Sequence, residues 1–429
     1  MGDEALKTIG RVILAAVLLA ASVLLMLLAK SAPDAIFGFY TQFSRAALEV
    51  IGRVTGWVPF ALWEALLALL ILWALYTLVR SLANKRFVRW LAGLLLGVSA
   101  LAFAFVALWG LNHYDAGVGE KLGLSVREYS VQELTDATAF YARELSRLAP
   151  ELPRDDEGVA QLDEFSQLAT RAGEGYTPLG ERYELFSGST AKVKRLTAWQ
   201  LYSRFGTTGI YMCLTAEAGV NPDTYAAWLP FTMCHEQAHG KGVAAEDGAN
   251  FCAYLACMEN SDVQFRYSGA LAAFVYCSNA LTKTDSAAAG EIWAQLDPGA
   301  LSDIRAANKH YAQYEGKVQD AAQKVNDTYL KAFSEPAGVQ SYGEVADLLP
   351  ELPGRMMVQF PCQPDGGFVR RGLYPHHQSH HAFPDSSEKG RKKPLSNRIG
   401  ACPPKCAGNL SSQPVESRRY AAFSVEQGR

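Results

Sequence analysis

Neither sign of charge predominates in this chain: 40 lysines and arginines against 43 aspartates and glutamates leave a formal net charge of −3 over 429 residues. Without a basic surplus to neutralise a phosphate backbone, nothing calls for a nucleic-acid partner. A disulfide framework is also missing. Of the 8 cysteines, Cys213, Cys234, Cys252, Cys257 and Cys277 stand in apolar or helical contexts without regular spacing, so they read as buried small hydrophobes. No internal repeat is apparent, which excludes a solenoid or propeller.

Charge is scarcest in the first 110 positions, where three apolar blocks replace the mixed pattern of a soluble domain. Residues 12–29, 59–79 and 90–111 are each about the length that crosses roughly 30 Å of hydrocarbon as a helix. The first is longer than the apolar core of a cleaved signal peptide and is followed by a poor cleavage site, so it is expected to remain as a span. Trp57, Trp63, Trp90 and Trp109 fall near block ends, as an interfacial aromatic belt requires. Glu64 lies close enough to a block end to reach headgroup water. Arg80, Lys85, Arg86 and Arg89 crowd the link between the second and third blocks, and Lys7 and Arg11 precede the first. Against the weaker charge of Lys30, Arg45 and Arg53 in the first loop, this bias places both basic sites in the cytoplasm. Everything after His113 is then extracytoplasmic, in a multi-pass protein of the cell membrane.

Residues 114–350 change to amphipathic helices. Ser130 to Glu133 is a capping box that opens a helix to about Leu148. Thr207 to Asn221 clusters β-branched and aromatic residues between glycines and predicts a short strand or hairpin, whose edge could hold an extended peptide by backbone pairing. One long helix is expected from about Leu301 to Phe333, with His310 as a surface or packing residue. Residues 351–429 are rich in Pro, Gly, Ser and basic residues and read as a disordered or out-of-frame tail. Its His376 to His381 cluster, with Cys402 and Cys406, matches no zinc template.

The chemistry concentrates between Pro230 and Cys257. His235 and His239 are four residues apart, which on a helix aims both imidazoles from one face toward a common point. Glu236 sits beside that face, placed to take a proton from a water that a metal has made acidic. Gly242 suits the left-handed turn that would stop the helix and send the chain back. The return carries Glu246, Asn250 and Tyr254 at four-residue intervals on one face of a second helix. Glu246 can supply a third ligand, and a His, His, Glu set with one open position is what a catalytic zinc ion needs. Asp247 is the rival third ligand or a neighbour of the ligand shell, and Asn250 could orient the Glu246 carboxylate. Tyr254, Arg266 and Tyr267 are candidates to donate to an oxyanion. Against this stands the plainer possibility of polar groups at a helix packing edge.

These residues, with "PFALWEALL", "WGLNHY", "TGIYMCLTAEAGVN", "FRYSG" and "VNDTYLKA", resemble the bacterial membrane-protein family grouped as domain of unknown function 3810. That family is related to HExxH zinc metallopeptidases of the gluzincin type. The resemblance covers most of Pro59 to Leu349. It departs at Gly248, where the family usually has a second acid, and at Cys213 and Leu214, where it has a Pro-Phe pair. It implies zinc at His235, His239 and Glu246, with Glu236 catalytic, and a zincin-like domain. The expectation is therefore a mainly α membrane protein: three N-terminal transmembrane helices, then a mostly helical zincin-like domain with a small β element. It would hydrolyse a peptide or protein substrate, anchored in the lipid bilayer, with oligomeric state unspecified. The rival from another class is a membrane scaffold or binding protein with a structural zinc site.

Overall fold

The computed structural model describes residues 2–124, 127, 129–333 and 345–352. The tail beyond residue 352, with its histidine cluster, lies outside the described residues, as do residues 334–344. Four long helices come first: α1 (Asp3–Ser31), α2 (Pro33–Thr55), α3 (Leu62–Ala83) and α4 (Phe87–Leu108). Short helices α5 (Val118–Lys121), α6 (Val131–Leu148), α7 (Phe165–Arg171) and α8 (Tyr176–Arg182) follow, then β1 (Val193–Arg195), α9 (Trp199–Arg204), β2 (Gly209–Met212) and β3 (Glu217–Val220). The chain continues through α10 (Leu229–Gly240), α11 (Glu246–Glu259), α12 (Val263–Thr284), α13 (Ser286–Trp293), α14 (Pro298–Ala312) and α15 (Lys317–Ala332).

Among the described residues, three helices are long and apolar enough to cross a membrane: Glu4–Ser31, Leu62–Ala83 and Phe87–Leu108. They overlap the three expected apolar blocks with shifted ends, because helix hydrogen bonding continues past the apolar run at Ser31 and Ala83. α1 and α4 run parallel. Glu4 pairs with Arg89 at 2.7 Å at one end, and Ala29 packs with Val106 and Leu111 at the other. Their seam is made of small residues seven apart, Ala15, Ser22 and Ala29 against Ala92, Ser99 and Val106, all buried. Small side chains let two helix backbones approach closely.

Residues 33–55, expected as a loop, are instead the helix α2, opened by Pro33 at its first position. Its inner side chains Tyr40, Ser44, Leu48 and Thr55 are buried against the rest of the protein. Ser44 Oγ donates to Leu108 O at 2.7 Å, and Thr55 Oγ1 donates to Thr215 O at 2.8 Å.

The expected hairpin is present. β2 and β3 pair antiparallel, and β1 adds in parallel to give the order β1-β3-β2. Two carboxylates tie this sheet to α3. Glu217 on β3 accepts from the backbone N–H groups of Leu62 and Trp63 at 2.9 and 3.0 Å, which satisfies the open amides of the α3 N-terminus. In return Glu64 accepts from Thr197 N at 2.7 Å and Ala198 N at 3.2 Å. Glu64 thus holds a loop of the following domain rather than simply reaching headgroup water. Lys194 Nζ bonds Glu217 and donates to Thr55 O at 2.9 Å, joining the same corner to the end of α2.

The main core lies among α6, α10, α11 and α12. α6 opens on the Ser130–Glu133 capping box, as expected, and ends at Leu148. The long helix foreseen at 301–333 is broken in two, because Gly316 at φ +149 leaves helical geometry between α14 and α15. His310 packs at the joint, with Nε2 2.7 Å from Asp223 O.

Candidate metal centre

α10 is held by backbone contacts from several sides. Its early N–H at Phe231 donates to Ser268 Oγ at 3.0 Å, and the Tyr176 hydroxyl donates to Cys234 O at 2.7 Å. At its far end Gly242 takes φ +86, a conformation that a side chain would strain, and the chain reverses into α11. Lys241, just before the turn, donates from Nζ to the carbonyls of Ser187, Gly188 and Ser189 at 3.0–3.2 Å. Burial lowers its pKa to about 8, with Arg45 adding to the fall and Glu49 opposing it.

The reversal brings His235, His239 and Glu246 together, all three buried, with one ligand atom from each within 4.8 Å of the others. The two Nε2 atoms are 3.1 Å apart. Glu246 Oε2 lies 3.2 Å from His235 Nε2 and 3.6 Å from His239 Nε2. Among the described residues this is the only such group.

The outer ring nitrogens fix the tautomers. His235 Nδ1 is 2.9 Å from Asn250 Oδ1, and His239 Nδ1 is 2.7 Å from the Val243 carbonyl. Both partners are acceptors, so each Nδ1 carries a hydrogen and each Nε2, the nitrogen left with a lone pair when the ring is neutral, faces inward. Tyr276 lies beside Asn250. Glu246 Oε2 is buried and makes no hydrogen bond of acceptable geometry. Two imidazoles and one carboxylate facing one point are a donor set that could hold a zinc ion.

Charge in the metal-free protein follows the same geometry. Burial opposes ionisation of Glu246, but the two imidazoles outweigh it and hold the carboxyl well below its usual range. Burial also opposes protonation of His239, yet the Glu246 carboxylate raises its pKa to about 9. A proton therefore occupies the place that a metal would take. Glu236, 4% exposed, is pushed up to about 7 by burial, with the imidazoles pulling down and Glu246 adding to the rise.

Glu236 packs directly beneath the sheet edge: a Cβ on Gly209 would lie 2.2 Å from its Oε1. Only glycine allows this approach. Asn221 N donates to Thr208 O, so the alternation of an antiparallel pair turns the N–H and C=O of Gly209 and Tyr211 away from β3, along the free edge.

Other expected site residues are placed elsewhere. Tyr254 packs edge-on against Tyr141, with ring centroids 5.5 Å apart. It shares a face of α11 with Glu246 but stands eight residues on, about 12 Å along the axis. Arg266 donates to Asn260 O and Ser261 O at the end of α11, at 3.2 and 2.6 Å. Tyr267 donates its hydroxyl to Asp303, which also pairs with Arg154 at 3.1 Å. Asp247 is half-buried at the start of α11 and is not one of the three clustered ligands.

Three residues that local pattern did not single out border the cluster. Trp109, expected in an interfacial belt, is buried instead, with Nε1 donating to His239 O at 3.3 Å. Its place at the C-cap of α4 puts the cluster directly beyond the end of an apolar helix. Tyr211 lies 6.4 Å from the His239 ring, and its buried hydroxyl makes no hydrogen bond. Tyr276 reaches Asn250 from α12. The five cysteines named above are free and buried, as their contexts suggested.

Fold and site together define a mostly helical protein with three lipid-length helices near its N-terminus and a buried His-His-Glu cluster beside a small sheet. Residues 39–350 match the family described as "Protein of unknown function (DUF3810)", and the chain belongs to that family. Neither the curated proteins nor the solved structures contain a match to it.

Proposed function

We propose that this protein is a membrane-anchored, zinc-dependent peptidase of the gluzincin type, with α1, α3 and α4 spanning the bilayer and the remaining domain outside the cytoplasm. The observation that carries the reading is the convergence of two imidazole Nε2 atoms and a buried carboxylate oxygen beside a second buried glutamate. His235, His239 and Glu246 would hold the zinc. When bound, the ion would make a water molecule acidic near neutrality and polarise a carbonyl.

Asn250 and the Val243 carbonyl keep each imidazole in its ligating tautomer. Glu236 is the proton carrier: a buried carboxylate next to the ligand His235 is placed to take a proton and give it back. Its carboxylate takes a proton from water as the oxygen adds to the peptide carbon. It then returns that proton to the departing nitrogen as the C–N bond breaks. The free edge of β2 would align an extended substrate chain through the backbone groups of Gly209 and Tyr211. The orphan hydroxyl of Tyr211 is a better placed oxyanion donor than Tyr254, Arg266 or Tyr267.

The near-complete burial of Glu236 and the ligands favours a second reading, a scaffold with a closed structural metal. Purified full-length protein tests both. The peptidase reading expects one zinc per chain and cleavage of a mixed peptide library that a chelator stops and zinc restores. Stoichiometric zinc with no cleavage moves the assignment to the scaffold, and absence of zinc defeats both.

A further inference from the structure

α2 is the one long N-terminal helix that composition bars from the hydrocarbon, since it carries Asp34, Arg45, Glu49 and Arg53. Two of its faces are accounted for. The inner face is buried, with Leu48 packed in a cluster with Trp109, Cys213, Ala216 and Ala244. The polar face grips the domain: Arg45 donates to Glu184 O at 2.9 Å and Ser187 O at 3.1 Å, and Glu49 accepts from Ser189 N at 3.1 Å.

The third face is exposed. Phe39, Phe43, Val50 and Val54 stand four, seven and four residues apart, and Trp57 follows three later, just past the helix end. At 100° per residue they fall within a stripe about 60° wide. Their exposure runs from 46% for Phe43 to 89% for Trp57. Large apolar side chains in a continuous exposed row mark an interaction surface.

Chain continuity decides what meets that row. α1 ends at Ser31, two residues before α2, and α3 begins at Leu62, seven after it. If both neighbours span the bilayer, they cross it in opposite senses, so both ends of α2 are tied to the same surface. A helix about 34 Å long, pinned at each end, lies along that surface. We infer that α2 is an interfacial helix that sets its Phe39–Trp57 stripe into the lipid headgroup and upper acyl region. Its other faces carry the domain, so it holds the His-His-Glu cluster at a fixed small height above the bilayer. Such helices bury an apolar face 5–10 Å into the boundary. The inference rests on α1, α3 and α4 being spans and is independent of any catalytic activity.

The test uses full-length protein in phosphatidylcholine–phosphatidylglycerol vesicles that contain a lipid with a diazirine high on the acyl chain. After irradiation, adducts are mapped by peptide mass spectrometry. Adducts are expected at Phe39, Phe43, Val50, Val54 and Trp57 as well as on the outward faces of α1, α3 and α4. Tyr40, Arg45 and Glu49 should carry at least tenfold less. Labelled spans with an unlabelled stripe overturn the inference and leave the anchor standing, whether a second copy or water covers the row. No lipid adducts anywhere would instead remove the membrane anchor on which it rests.

Discussion

Replacing Glu236 with glutamine separates the role of this residue in chemistry from its effect on folding. An acid whose pKa rises from 4.5 to about 7 on folding binds its proton more tightly in the folded state. The folded form therefore loses stability as pH climbs from 4.5 through 7, and the loss is complete above that. At 1.36 kcal/mol per pH unit, the penalty at pH 8 is about 3 kcal/mol. Because the side chain is almost fully buried, solvent screening removes little of it. Glutamine keeps the shape without the charge, although its amide needs partners that cost about 1 kcal/mol if unmet. Metal-stripped Glu236→Gln should thus be about 2 kcal/mol more stable than the parent at pH 8, with no gain at pH 4.5. Thermal unfolding in one detergent, followed across that range, checks this as a midpoint difference of a few degrees that grows with pH. Zinc content should be unchanged while hydrolysis falls to background. A pH-independent midpoint difference, or a variant less stable at pH 8, would refute the argument that burial strains this carboxylate, and retained turnover would remove Glu236 from the mechanism.

Other substitutions probe the surroundings. Asn250→Ala removes the acceptor that holds His235 and should weaken zinc binding about 10–100-fold, measured by competition with a chromogenic chelator. Gly209→Ala forces the Glu236 carboxylate to swing away, so hydrolysis should fall on the order of 100-fold while zinc stays bound. Equal activity in that variant would show that β2 does not press on the base. Lys194→Met leaves Glu217 buried without its cation and should cost about 3 kcal/mol in thermal unfolding. The double variant with Glu217→Gln should recover part of that loss. Finally, zinc binding at pH 7 should release at least one proton, because His239 is protonated below about pH 9 in the metal-free site; calorimetry in buffers of different ionisation enthalpy reads this directly.

Short-range chemistry was enough to read much of this protein. Nearly uncharged runs of lipid length mark α1, α3 and α4, since a long apolar run is read from composition alone. Ser130 and Glu133 start α6 by satisfying its own first amides. The spacing of His235 and His239, the turn at Gly242 and the acid that follows foretold a cluster that the tertiary structure does assemble. Each of these depends on atoms within a few residues of one another.

Depth and partnership are different matters. Helical periodicity put Tyr254 on the same face as Glu246, yet a face says nothing of distance along the axis, and Tyr254 ends against Tyr141. Glu64 and Trp109 looked like boundary residues of a span. Their partners, the Thr197 amide and the His239 carbonyl, are 133 and 130 positions away. α2 escaped notice because its three faces answer to three different surroundings and no single apolar stripe dominates. Which side chain closes a site, and which long apolar helix it sits beside, is settled only when segments far apart in the chain compete for the same space.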